Sequence, residues 1–208
     1  MTRPTLYGAD YSVYVRIARL ALAEKGVDYE LVPLDIFAAD GIPAWYLEHH
    51  PFGRIPAFEH DGFRLFETSA ITRYVDEAFD GPALQPKDAR SRARMNQIIG
   101  MLDAYGYRST VWDVAVERLE KPSPDETLIA NGLRLAETVL RVLTALKPSG
   151  PWLLGDQLTL ADLHAASIIA YFLKVADGRD LLARFADIQE WYARMSVRPS
   201  FSSTEKVD

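Results

Sequence analysis

The chain has 208 residues, 49% of them apolar, and carries 23 Lys and Arg against 29 Asp and Glu, a net charge of −6. That balance excludes a dedicated nucleic-acid binder, which needs a basic stripe, and no apolar run approaches the roughly 18 residues of a membrane span. There is no cysteine, so the chain has no thiol or disulfide chemistry of its own and any reacting sulfur must arrive with a ligand. In chain order, Met1-Thr2-Arg3-Pro4 opens without the apolar segment of a secretion signal, which predicts a cytoplasmic protein. Thr5-Leu6-Tyr7 reads as a strand, residues 13–23 as a helix stopping near Gly26, residues 29–32 as a second strand and 44–49 as a short helix. Arg54-Ile55-Pro56 is a turn that presents backbone, because proline removes a donor and holds Ile55 extended. Ala57-Phe58 and Phe63-Arg64-Leu65-Phe66 are strands around the hairpin signal Asp61-Gly62. Glu67-Thr68-Ser69 then opens a helix with Ile71, Tyr74, Val75 and Phe79 at helical spacing.

This βαβ then ββα order predicts an α/β unit whose first two strands are parallel. Gly81-Pro82-Ala83-Leu84-Gln85-Pro86 breaks the pattern and marks a linker over 81–88. No strand follows. Residues 89–119, 125–146, 160–173 and 188–195 read as helices, the first kinked near Gly106, and the last few residues are expected to fray. Thr159-Leu160-Ala161-Asp162 is a capping-box variant with Asp in place of Glu, and His164 just inside that helix reads as a buried structural histidine. His49, His50 and His60 show no metal-ligand spacing, so no metal is expected.

The chemistry concentrates at two helix starts. A carboxylate and a hydroxyl at Glu67-Thr68 offer a polar pocket to a zwitterionic, peptide-like ligand, although a Thr before a helix also commonly caps it. Ser12 stands at the start of the first helix, where unpaired backbone donors favour negative charge. Its commonest role there is a cap, with catalysis the alternative.

Three separated segments carry a family resemblance: LYGADYSVYVRIARLALAEKGVDYELVPLD, HPFGRIPAFEHDGFRLFETSAI, and Trp152-Leu-Leu-Gly-Asp-Gln-Leu-Thr-Leu-Ala-Asp162. The chain resembles the cytosolic glutathione S-transferases, in the bacterial phi/theta-like serine pattern. The resemblance implies a thioredoxin-like α/β domain over 1–80 and an all-α helical bundle over 89–208 that lines the electrophile site. It implies that Pro56 is cis, that Ile55 pairs with the cysteinyl backbone of glutathione, and that Glu67 and Thr68 hold its γ-glutamyl end. Ser12 would face the thiol and activate it for conjugation to a small hydrophobic electrophile. Tyr7 falls too early in the chain for that role, and Tyr11 more plausibly lines the pocket. Related phi-type sequences carry a His-Lys pair where Gly41 and Ile42 stand here, so Arg54 is the candidate partner for the glycine carboxylate. His50, in a helix end, is the weaker choice.

The second substrate would sit between the domains. Tyr105, Arg108 and Trp112 share a helical face by their three- and four-residue spacing, as electrophile contacts or as core or dimer contacts. Arg16 reads as a solvated surface arginine. The resemblance further implies a homodimer anchored by Phe52, glutathione as co-substrate, a detoxification role, and no nucleic-acid or membrane partner. The alternative is a non-catalytic ligand carrier or scaffold on the same fold.

Overall fold

The computed structural model describes residues 2–205. The chain divides into two compact units, Met1–Ala83 with Pro199–Asp208, and Leu84–Arg198. The division falls inside the expected linker. It differs from the sequence-based partition at the other end, because the segment from Pro199 belongs with the first unit rather than with the helices of 89–208.

The first unit holds a four-stranded sheet in the order β2-β1-β3-β4. Strands β1 (Thr5–Tyr7) and β2 (Glu30–Val32) are parallel, while β3 (Ala57–His60) runs antiparallel to β1 and to β4 (Phe63–Phe66). The hairpin between β3 and β4 turns on Asp61 and Gly62, both at positive φ (51° and 78°), as a two-residue primed turn requires. Helix α1 (Val13–Glu24) buries Val13, Val15, Ile17, Ala18, Leu20, Ala21 and Leu22 and ends before Gly26 at φ 67°. Helix α2 (Thr68–Ala78) buries Ile71 and Val75. Residues Ala44–Glu48 form one tight 3₁₀ stretch, not an α-helix.

Lys25 follows α1 and is buried, its ammonium donating to the carbonyls of Asp76, Gly81 and Pro82 and pairing with the Asp76 carboxylate at 3.3 Å. The helix α9 (Pro199–Ser203) lies on α1. The Arg16 guanidinium stacks 4.1 Å from the Phe201 ring and donates to the Phe201 carbonyl at 3.0 Å. Arg19 donates to the carbonyls of Ser203 and Thr204, and Ser200 Oγ donates to Glu24. Arg16 is therefore committed to the C-terminal helix and is not a solvated surface residue. The partner lies 185 residues away, beyond any local pattern.

In the second unit, α3 (Ala89–Met101) continues through Leu102–Gly106 and Arg108–Val116 as wider, π-wound turns and returns to α geometry in α4 (Glu117–Glu120). The helix expected over 89–119 with a kink near Gly106 is thus replaced, from Leu102 to Val116, by i→i+5 winding. Two hydroxyls take up carbonyls in this stretch: Ser109 donates to Tyr105 and Gly106, and Thr110 donates to Gly106 at 2.7 Å. Helix α5 (Glu126–Leu146) approaches it closely at Gly132, where a Cβ would lie 2.9 Å from the Ser109 carbonyl oxygen.

Helix α6 (Leu160–Phe172) is buried on almost every side. Asp162, fully buried, accepts from the Leu153 N–H (2.8 Å), the Thr159 N–H (2.8 Å), the Thr159 hydroxyl (2.9 Å) and Trp191 Nε1 (2.8 Å). Burial pushes its carboxyl above the usual range, against the pull of those four donors. His164 is buried too and its Nδ1 lies 2.9 Å from the Leu160 carbonyl, which fits the structural role expected of it. Helices α7 (Ala176–Leu182), α8 (Ala186–Ser196) and α9 complete the chain; α7 and α9 had no counterpart in the periodicity. The expected fraying concerns residues 206–208, which lie outside the described residues.

Candidate functional site

The sheet register assembles one site from three sequence segments. Tyr7 opposes Ala57 across β1 and β3, and Ala57 opposes Phe66 across β3 and β4. One step further along, the Ile55–Pro56 turn therefore falls between the loop after β1 and the start of α2. The loop side is confirmed by close packing: a Cβ on Gly8 would lie 3.4 Å from Ile55 Cβ and 2.4 Å from a methyl of Val15. Only glycine lets α1 and the turn approach β1 this closely. The Ile55–Pro56 peptide is cis, as the resemblance implied.

Ser12 is the N-cap residue of α1, with φ −76° and ψ 126°, and its Oγ accepts the Val15 N–H at 3.4 Å. Accepting uses a lone pair, so the hydroxyl proton is left to donate elsewhere. Cap and thiol donor are compatible roles for this side chain. Nothing acidic occupies the first turn of α1 to oppose a ligand anion.

Glu67 takes the N-cap position of α2 at φ 70°, without a side-chain cap bond. Thr68 is the first helical residue rather than the N-cap and is buried, so the cap that a Thr before a helix would form is absent. A non-glycine residue in the left-handed region is uncommon, and such strain is typical of ligand clamps.

The turn itself is propped from below by residues that local patterns did not single out. Tyr46 is fully buried and donates to the Arg54 carbonyl at 2.6 Å. Gly53, at φ 59°, donates to the His50 carbonyl at 2.8 Å, and the Ile42 side chain packs against it. In the cation-free stretch Gly41-Ile42, Ile42 thus serves as packing while Gly41 is exposed. His50 is buried with its ring 5.0 Å from Phe66, and burial lowers its pKa against the opposing pull of Glu67. It is not available at the surface as a carboxylate clamp. The Arg54 side chain is exposed on the turn.

Tyr7 packs with Trp45, Tyr46 and His49, its ring 4.5 Å from His49, rather than at the start of α1. The Tyr11 hydroxyl donates to Asp35 Oδ1 at 2.7 Å, and its ring lies 6.2 Å from the exposed Phe37. In the helical unit, Tyr105 is exposed and Trp112 half-buried. Arg108 is exposed and pairs with Asp113 at 2.6 Å, five residues on, as wide turns dictate. The α-helical stripe that grouped Tyr105, Arg108 and Trp112 does not describe this segment.

Residues 6–83 match the family model of the glutathione S-transferase N-terminal domain and residues 107–199 that of its C-terminal domain. Glutathione transferase F7 from Populus trichocarpa is 30% identical in sequence and superimposes with a TM-score of 0.85, over 97% of each chain. The chain belongs to the glutathione S-transferase family. The transferase is also similar to glutathione S-transferase F13 of Arabidopsis thaliana, 29% identical over 94% of this chain and 92% of the relative. A third relative, glutathione S-transferase I from mais in complex with an atrazine glutathione conjugate, is 26% identical with a TM-score of 0.85, over 98% of this chain and 96% of that one. Among the described residues of the transferase, no helix is long and apolar enough to cross a membrane.

Proposed function

We propose that this transferase binds glutathione along Ile55, Pro56, Glu67 and Thr68, with Arg54 pairing the glycine carboxylate, and that Ser12 holds the thiol as thiolate. One observation carries the reading: Ser12 caps α1 through its lone pair, keeping its proton free, in the loop packed against the Ile55–Pro56 turn. The thiol gives its proton to solvent; the sulfur then bonds to an electrophilic carbon, and the leaving group departs with its electron pair. The Tyr11 ring and Phe37 supply apolar surface beside Ser12, and Tyr105 and Trp112 remain the candidate electrophile contacts of the helical unit. The complex of the mais relative supports an electrophile of the atrazine kind, and with it a detoxification role.

A hydroxyl donor to a charged sulfur is worth about 1.5–3 kcal/mol, which at 1.36 kcal/mol per pKa unit corresponds to roughly 1–2 units. Ser12→Ala is expected to raise the apparent pKa of bound glutathione by about that amount, cut turnover at neutral pH and leave glutathione affinity nearly unchanged. A pH–rate profile that superimposes on the parent's would remove the serine from the reaction. The family relationship also supports a homodimer with Phe52, 74% exposed, as an intersubunit anchor. A Phe52→Ala variant that sediments as the parent does, dimer included, would refute the anchor.

A further inference from the structure

The Ser12 hydroxyl is held loosely by its own cap. Its 3.4 Å contact with the Val15 amide is longer than the usual hydrogen-bond range of about 2.7–3.2 Å, so that bond alone does not fix where the hydroxyl points. What fixes the loop is its attachment to the segment that leaves β2. Gly8 makes two backbone bonds there, donating to Val32 (3.0 Å) and accepting from Leu34 (3.3 Å). The residue beside Ser12 extends that attachment with a side chain. Tyr11 donates to Asp35 Oδ1 at 2.7 Å, and the same oxygen accepts the Phe37 N–H at 2.8 Å. One carboxylate oxygen thereby joins the Ser12 turn to the 35–37 loop and settles both.

We propose that Tyr11 and Asp35 are positioning residues: their hydrogen bond latches the loop after β2 to the Ser12 turn and sets the direction of the Ser12 hydroxyl. The inference rests on the reading of Ser12 as the thiol donor. It assigns the Tyr11 hydroxyl to the latch, so Tyr11 is not a competing thiol donor, while its ring keeps its place beside Phe37. The directions of the two pKa shifts agree with the geometry. The Tyr11 phenol is pushed up, by burial first and by Asp35 next, and the Asp35 carboxyl is drawn down chiefly by Tyr11.

The test is a mutant cycle on the full chain, with glutathione and chlorodinitrobenzene as substrates and the pH dependence of kcat/KM as readout. Tyr11→Phe keeps the ring, Asp35→Ala removes the acceptor, and Asp35→Asn keeps an acceptor oxygen. Tyr11→Phe and Asp35→Ala are each expected to raise the apparent thiol pKa and to lower kcat/KM by about three- to tenfold, with the double variant no worse than either. The KM for glutathione stays near the parent's, since Ile55, Glu67 and Thr68 are untouched, and Asp35→Asn retains most of the activity. A Tyr11→Phe profile identical to the parent's, or effects of Tyr11→Phe and Asp35→Ala that simply add, would overturn the latch. Ser12→Ala separates the two ideas. If it shifts the profile while Tyr11→Phe does not, only the latch fails; if it shifts nothing, the serine reading fails and takes the latch with it.

Discussion

Replacing Asp162 by alanine is expected to destabilise the helical unit far more than it alters the chemistry. The carboxylate is fully buried and receives four donors, two of them backbone amides at 2.8 Å and one the Trp191 indole at 2.8 Å. The Thr159 hydroxyl can rotate toward another acceptor, but the amides of Leu153 and Thr159 and the indole cannot. Each buried donor left without a partner costs about 1–3 kcal/mol. Three of them give roughly 3–9 kcal/mol, and water entering the vacated volume brings the net to the lower half, about 4 kcal/mol. For a chain of this size that lowers Tm by roughly 8–16 °C. Asp162→Asn keeps one acceptor but turns an NH₂ toward donors, and should lose more than half as much. Thermal melts at matched protein concentration, followed by circular dichroism and by tryptophan fluorescence, measure both variants. An Asp162→Ala protein melting within about 3 °C of the parent, roughly 1 kcal/mol, would show that these four bonds do not anchor the unit.

Arg54→Ala should weaken glutathione binding about tenfold, the value of one charge-assisted pair lost at an exposed site, with kcat little changed; calorimetric titration that finds equal affinity would assign the glycine end to another group. The Asp177 carboxyl is held below the usual range by the Arg118 guanidinium, at 3.1 Å. Because its folded-state pKa is depressed, the stability it contributes is present above the unfolded carboxylate range and is lost as pH falls through the lowered value. Arg118→Met should therefore flatten the acid limb of the stability–pH curve, and parallel curves for parent and variant would disprove the link.

The sequence by itself determined the elements whose signals are local. Asp61-Gly62 forms its hairpin because two adjacent residues tolerate positive φ. Asp162 reaches back to Thr159 because three residues along a helix end bring the two together. The α/β order of the first unit and the helices of the second follow from the periods of their apolar residues, and the resemblance carried by three motifs placed Ser12, Ile55, Pro56 and Glu67 on one family pattern. Tertiary structure decided what depends on partners far apart in the chain. Arg16 is half-buried and stacks on Phe201, a residue from near the opposite terminus. Tyr46 props the Arg54 carbonyl, and Tyr11 meets Asp35 across 24 residues because two parallel strands bring their following loops side by side. The wide winding from Leu102 to Val116 also escaped the sequence, since α and π turns use the same residues. Ser109 and Thr110 bond back within that winding, and α5 closes on it at Gly132. A side chain's neighbours within one helical turn are written in its sequence; the carbonyl or carboxylate it finds across the fold is set only when the sheet register and helix packing are complete.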